Sequence, residues 1–200
     1  SIGMARAAFE AAVRYAKALE EWSDNAHVWR LYARALSDIR DYGRATQAVE
    51  RALALEPAGI EGLRILAEIQ RRQGRIGEAY AALGRYAGAA QAAPDGAHLA
   101  LEARAQGALW LLEDGNLSAA REAAQSLLKE DPDDPLALWV RASAAVRSGR
   151  AAEAPADLKA AAAQRRRAPF AAAAAEALLT ELSRETGRAA PEPRPASPGR

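Results

Sequence analysis

His27 and His98 are the chain's only histidines, and they lie far apart in sequence. A Ser–His–Asp relay can be drawn around His98, but no Gly-x-Ser-x-Gly turn is present to expose a nucleophile. No glycine-rich phosphate-binding loop occurs. The run Asp131-Pro132-Asp133-Asp134 gathers carboxylates of the kind that take a hard cation. It lacks the alternating ligands and closing Glu of a calcium loop. Asp is favoured in turns and at helix N-caps, so the run reads as a turn followed by a cap. The cluster "QRRRAP" (164–169) could touch nucleic acid or an acidic partner. It is short and has no interleaved aromatics, so it reads as a solvated loop between helices. With no cysteine, disulfide and thiolate chemistry are excluded, and the compartment stays open between cytoplasm and periplasm. The expectation is a non-catalytic chain without metal or cofactor.

Composition says what holds such side chains in place. Of 200 residues, half are apolar and 26% are charged, the balance of a globular chain. Alanine supplies roughly a quarter of the chain, far above its usual share. Ala is the best helix former and carries almost no volume, so closely packed helices are expected throughout. The net charge of +1 gives no reason to expect nucleic acid or an anionic membrane as partner. No apolar run reaches the ~20 residues that span a bilayer. The opening "SIGMARAAFE" shows no signal peptide and begins without Met, which we read as the start of an excised segment of a longer protein.

Loops between helical runs repeat one form. "SDIRDYGRATQAV" (37–49), "RRQGRIGEAYAAL" (71–83), "LLEDGNLSAAREA" (111–123) and "VRSGRAAEAPADL" (146–158) each place a turn residue before a small Ala. The turn residues are Arg40, Gly74, Gly115 and Gly149, and the alanines are Ala45, Ala79, Ala120 and Ala154. Both series step by 34, 41 and 34 residues. The extra 7 residues of the middle step equal about two helical turns, which lengthens helices while nearly keeping their facing. Arg40 stands where the other loops have Gly, so that loop should either avoid positive φ or be mildly strained. Trp22, Trp29, Trp110 and Trp139 read as packing residues between helices, with Trp139 also open to a ligand-facing reading.

The 34-residue period resembles that of the tetratricopeptide repeat. Residues 26–57 carry the motif in full: Trp29, Ala33, Leu36, Asp41-Tyr42, Ala45, Val49, Ala52 and Pro57. The second unit keeps Leu63, Leu66, Ala67, Gly74, Ala79 and Leu83, with Tyr86 where the family has a small residue. The third keeps Leu111, Gly115, Ala120 and Pro132 but has Arg104 at the Trp position, and the fourth has Arg141 where Leu is usual. The resemblance implies an all-α, right-handed α-solenoid of antiparallel helix pairs with a concave surface. The expected organisation is an N-terminal helix or partial repeat (1–24), a repeat domain (25–164) and a C-terminal capping helix (165–186). The repeats divide at about 26–59, 60–95, 96–134 and 135–164. Residues 187–200, rich in Pro and Gly, are expected to be a disordered tail or linker.

The resemblance also implies where function lies. The family's concave face is lined by the first helix of each pair, and here those positions fall on His27, Arg30, Leu31, Arg34 and Asp38, then on Glu61, Arg64, Ile65, Glu68, Arg71 and Arg72. Glu102, Gln106 and Leu109 follow, then Trp139, Val140, Ser143 and Arg147. The basic half, Arg30, Arg34, Arg64, Arg71 and Arg72, suits a partner's carboxylates, because guanidinium can hold them bidentately. An apolar anchor is expected near Trp139. The competing reading pairs these charges within helices, as Glu68 with Arg72. The clamp for chaperone tails is disfavoured, since its Asn residues are missing. The leading function is a protein-binding adaptor, with the partner a peptide or helix, in a bacterial assembly, secretion or biogenesis complex. The alternative is a recruiting or regulatory domain of a larger enzyme, such as a glycosyl- or sulfotransferase. Self-association through the concave face is a third reading.

Overall fold

The computed structural model describes the backbone of residues 2–189 and the side chains of residues 3–184. Ten α-helices occur among the described residues, and no strand. They are α1 (Ile2–Glu21), α2 (Ala26–Asp38), α3 (Tyr42–Leu55), α4 (Ile60–Arg72), α5 (Ile76–Ala92), α6 (Ala97–Glu113), α7 (Leu117–Glu130), α8 (Pro135–Arg147), α9 (Pro155–Ala163) and α10 (Pro169–Ala189). The chain divides into two compact units, residues 1–107 and 108–200, with the boundary inside α6. The fold is the all-α helix-pair repeat of tetratricopeptide-type solenoids. The tail expected at 187–200 lies outside the described residues from 190 onward.

The same local chemistry starts and stops successive helices. Asn25 accepts from the backbone N–H of His27 and Val28, and Asp41 from that of Arg44. Asn116 accepts from Ala119, and Asp134 from Ala137, so both satisfy N–H groups that the first turn leaves orphaned. Pro135 occupies the first turn of α8, where a missing N–H costs nothing. The last of the three aspartates in "DPDD", Asp134, is therefore a helix cap. At the C-termini, Asp41 N–H donates to Leu36 C=O, Arg75 to Gln70, Asn116 to Leu111 and Arg150 to Ala145. These bonds close over one left-handed residue each, as in the Schellman motif. Gly74, Gly115 and Gly149 hold φ of 75°, 80° and 78°.

Arg40 completes that series at φ 64°. Of the two outcomes open to this loop, avoidance of positive φ is therefore incorrect. The closing bond from Asp41 to Leu36 demands the left-handed turn, and Arg adopts it at a steric cost that Gly does not meet.

In the first unit, α2 packs on α1, α3 and α4, and α4 packs on α5. In the second, α8 packs on α7, α9 and α10. Ala45, Ala79, Ala120 and Ala154 are all fully buried, as their place between close backbones requires. Ala154 differs in context, since a 3₁₀ turn (Ala151–Glu153) precedes it and it caps α9 ahead of Pro155. Leu36, Leu63, Ile65 and Ile69 are each at most 2% exposed. Each such burial stabilises by about 1.5–3 kcal/mol. The 7 inserted residues appear as helix: α5 and α6 have 17 residues each, against 14 in α3 and 13 in α4.

Side chains that depart from the repeat pattern find their own solutions. Tyr86, in a small-residue position, is 3% exposed. Arg141, in a Leu position, donates twice to Asp157, at 2.7 Å each, and so ties α8 to α9. Trp110 is buried at 5% exposure, and Trp29 donates through Nε1 to Ser23 C=O at 2.8 Å. Trp22 does not pack as expected: it is 54% exposed, because it follows the end of α1, just ahead of the turn at residues 23–24.

Candidate functional site

The first-helix faces of the first unit are α2 and α4. Of the two readings of their arginines, an open basic row or charges paired within the protein, the structure shows the arginines paired with carboxylates. Arg64 sits at the centre, half-buried. Its Nε and Nη2 reach Glu61 at 3.0 and 2.7 Å, and its Nη1 bonds Glu68. Arg34 reaches Glu61 at 3.6 Å. Arg72 lies 3.7 Å from Asp38 and donates to the Ser37 hydroxyl at 3.0 Å. Arg30 bonds Glu56 and is largely buried, with its Nε unpartnered. Arg71 is engaged as well.

The charges respond to this packing. Hydrogen bonds from Arg64 hold the Glu61 carboxyl below its ordinary value, against the opposing pull of partial burial, and Arg34 and Arg30 add to the effect. The Arg64 guanidinium is pushed well above its ordinary value, chiefly by Glu61. Arg34, Asp38, Glu68 and Arg72 line a small cavity of about 80 Å³ together with Ser37 and Ile65. The structure thus brings five of the expected positions, Arg34, Asp38, Ile65, Glu68 and Arg72, to one place, with Arg34 paired to Glu61, Glu68 to Arg64 and Arg72 to Asp38. The pairing expected between Glu68 and Arg72 is replaced by Glu68 with Arg64 and Arg72 with Asp38. His27 is exposed at the start of α2, and Gln106 is half-buried on α6, in neither case within this cluster.

The second unit offers a different surface. A cavity of about 460 Å³ opens between the end of α6, α8 and α10, and Leu112, Trp139, Ser143, Val146, Ala177 and Leu178 line it. Trp139 is half-buried and meets Phe170 edge-on, with ring centroids 6.2 Å apart. Ser143 is 5% exposed, and its hydroxyl is buried without a hydrogen-bond partner. An unsatisfied buried hydroxyl costs about 1–3 kcal/mol. Arg147, also at the cavity, donates to Leu112 C=O at the end of α6. Val140, expected on this face, is fully buried and belongs to the core.

Two basic residues of "QRRRAP" serve as ties within the second unit. Arg165 bonds Glu176 of α10, and Arg167 bonds Asp131. The Arg167 hydrogen bond holds the Asp131 carboxyl below its ordinary value. Two of the four "DPDD" positions are therefore a cap and an ion pair. Among the described residues, no group of three or more His, Cys, Asp or Glu is placed to hold a metal ion. No helix among them is long and apolar enough to cross a membrane. Sequence reasoning missed the unpartnered Ser143 hydroxyl and the α10 wall of the cavity. The run "AAAAAEALL" (171–179) was the available signal, because small residues facing α8 leave room beside Trp139.

No family model matches the sequence, and no curated protein does. Solved structures do. A crystal structure of MamA is 19% identical, with a TM-score of 0.62, covering 78% of this chain and 86% of that one. A second MamA crystal structure is 16% identical, with a TM-score of 0.59 and 84% and 96% covered. The hetero-tetramer Cut9–Hcn1 of the APC/C matches with a TM-score of 0.69 at 16% identity. That match covers 93% of this chain but only 34% of the other. The likeness is one of fold.

Proposed function

We propose that this chain, built on a tetratricopeptide-type fold, is a non-catalytic scaffold that binds a protein partner against its first-helix faces. The observation that carries the reading is the cavity at Trp139, which Leu112, Val146, Ala177 and Leu178 also line. A large apolar side chain from a peptide or helix fits such a pocket, and fully desolvated anchors of this kind carry most binding energy at protein interfaces. In the second unit the proposed contact residues are Trp139 and Ser143, at the anchor pocket; in the first they are His27, Arg30, Arg34, Arg64, Glu68, Arg71, Arg72 and Gln106.

An acidic partner gains less from the arginine row than the sequence suggests. Glu56, Glu61, Glu68 and Asp38 already supply carboxylates there. A partner must displace them, so the apolar anchor carries the affinity and acidic residues contribute by exchange. The Ala- and Arg-rich composition supports a place in a bacterial assembly or biogenesis complex.

The test is selection of peptides from a displayed random library on the immobilised protein. Selected peptides should share one or two large apolar residues and lose at least tenfold in affinity against Trp139→Ala. Arg34→Ala with Arg64→Ala should change affinity by less. Selection of acidic peptides that are indifferent to Trp139→Ala would overturn the reading.

A further inference from the structure

Tyr86 is a buried side chain that the repeat pattern does not explain. It stands on α5 where the family has a small residue, and it is 3% exposed. The equivalent positions, 34 residues before it and 41 and 75 after it, hold Ala52, Leu127 and Ala161. All three are buried, and none carries a polar side-chain atom. The first part of α6 lies against α5 here, since a Cβ on Gly107 would come within 3.3 Å of Leu83 Cδ2. In an antiparallel pair, that contact sets Tyr86 level with the turn of α6 that carries Glu102.

The Tyr86 hydroxyl makes no hydrogen bond to any described residue. Burial pushes it above its ordinary value, and the Glu102 carboxylate pushes it further. Arg64, Glu61 and Glu68 also act on it, so three carboxylates and one guanidinium bear on this oxygen. Arg64 is already bonded to both Glu61 and Glu68. Arg34 pairs with Glu61, Arg72 pairs with Asp38, and Arg71 and Arg104 are engaged as well. Glu102 is exposed and bonds no described residue. Glu61, Glu68 and Glu102 thus face only Arg34 and Arg64, three carboxylates against two guanidiniums. The row of arginines that the sequence displays ends, at Tyr86, in an uncompensated negative charge.

We propose that the Glu102 carboxylate and the Tyr86 hydroxyl form a seat for a lysine side chain of the protein partner. The inference rests on the scaffold reading and adds the charge that the partner presents to the first unit. An ammonium suits the seat, because its three donors can serve the carboxylate and the phenol oxygen at once. A guanidinium fork is matched by two acceptors in one plane, which a single free carboxylate beside a hydroxyl does not offer as well. A partner carboxylate would meet an excess of its own sign.

The probes are peptides selected from a displayed random library on the immobilised protein. They should share a lysine, and selection on Glu102→Lys should replace that lysine with Glu or Asp. For one lysine-bearing peptide, Glu102→Gln should weaken binding about fivefold and Tyr86→Phe about threefold, with the helicity of both variants unchanged. The same peptide with norleucine in place of lysine should bind the parent and Glu102→Gln alike. Arginine in that place should recover less than half of the loss. Peptides without a shared lysine would overturn the proposal. So would a lysine peptide and a norleucine peptide that lose equally on Glu102→Gln. Peptides that lose affinity on Trp139→Ala but carry no lysine would leave the scaffold reading standing and remove the seat alone. Failure to select any peptide would remove both.

Discussion

Arg40 holds the same backbone position as Gly74, one at φ 64° and the other at φ 75°, each just past a first helix. The closing bond, Asp41 N–H to Leu36 C=O at 2.9 Å, matches Arg75 N–H to Gln70 C=O at 2.9 Å. The geometry is set by the turn and not by the residue. Arg40→Gly should therefore stabilise the protein by about 1 kcal/mol, since the left-handed penalty disappears. Chemical denaturation gives the answer, and an unchanged or lower midpoint would show that the turn is not strained.

Ser143 and Trp139 share one cavity but predict opposite effects on stability. Ser143→Ala removes a buried hydroxyl that has no partner, so it should be neutral or stabilising by up to about 1 kcal/mol. Trp139→Ala should destabilise by about 1–3 kcal/mol, less than a fully buried Trp, because the ring is half-exposed. A loss of stability in Ser143→Ala would mean that the hydroxyl is satisfied in solution.

Asp157→Ala should cost about 1 kcal/mol. It strands Arg141, whose two bonds to the carboxylate tie α9 to α8, and partial exposure of both groups limits the loss. The double variant Arg141→Leu with Asp157→Ala should recover part of it, since Leu suits that position in the repeat. A double-mutant cycle showing no coupling would exclude the tie.

Glycines separate packing from propensity. A Cβ on Gly84 or Gly88 would meet nothing within 4 Å, so Gly→Ala there should stabilise α5 by about 0.5–1 kcal/mol. A Cβ on Gly96 would come within 2.0 Å of Ala90 C=O, which is backbone and cannot swing aside. Gly96→Ala should destabilise by about 1–3 kcal/mol. Thermal melts of the three variants should fall on opposite sides of the parent.

Acid should loosen the second unit through Asp131. Its folded value lies below the ordinary 3.8 because Arg167 bonds the ionised form. The contribution is therefore complete above about pH 4 and is lost as pH falls through the lower folded value. Asp131→Asn should cost about 0.5–1 kcal/mol at pH 7, the scale of a partly exposed pair. That difference should shrink toward zero near pH 2. A deficit that persists at pH 2 would trace to capping and not to charge.

The architecture was legible because it rests on short-range rules. Ala45, Ala79, Ala120 and Ala154 reveal the period, and all four are fully buried. The glycines in three turns reveal the left-handed residue that all four loops use. The candidate site was legible only as a set of positions. Arg30 finds Glu56 26 residues away, and Arg72 finds Ser37 35 residues away. Such pairs depend on how neighbouring helices lie, which spacing along one helix does not encode. The Ser143 cavity was hidden for the same reason, since one wall comes from α10. Trp22 misled because its type suggests packing, while its place after the end of α1 decides its exposure.

The 7-residue insertion was absorbed as 3 residues in α5 and 4 in α6, with the four-residue connection between them, residues 93–96, no longer than residues 56–59 between α3 and α4. Growth of this hairpin is thus quantised. Roughly one turn must be added to each antiparallel arm for both to keep the same faces inward. Lineages that lengthen or shorten this hairpin should differ by about seven residues at a time, and intermediate lengths should be rare because they rotate one arm's covered side toward water.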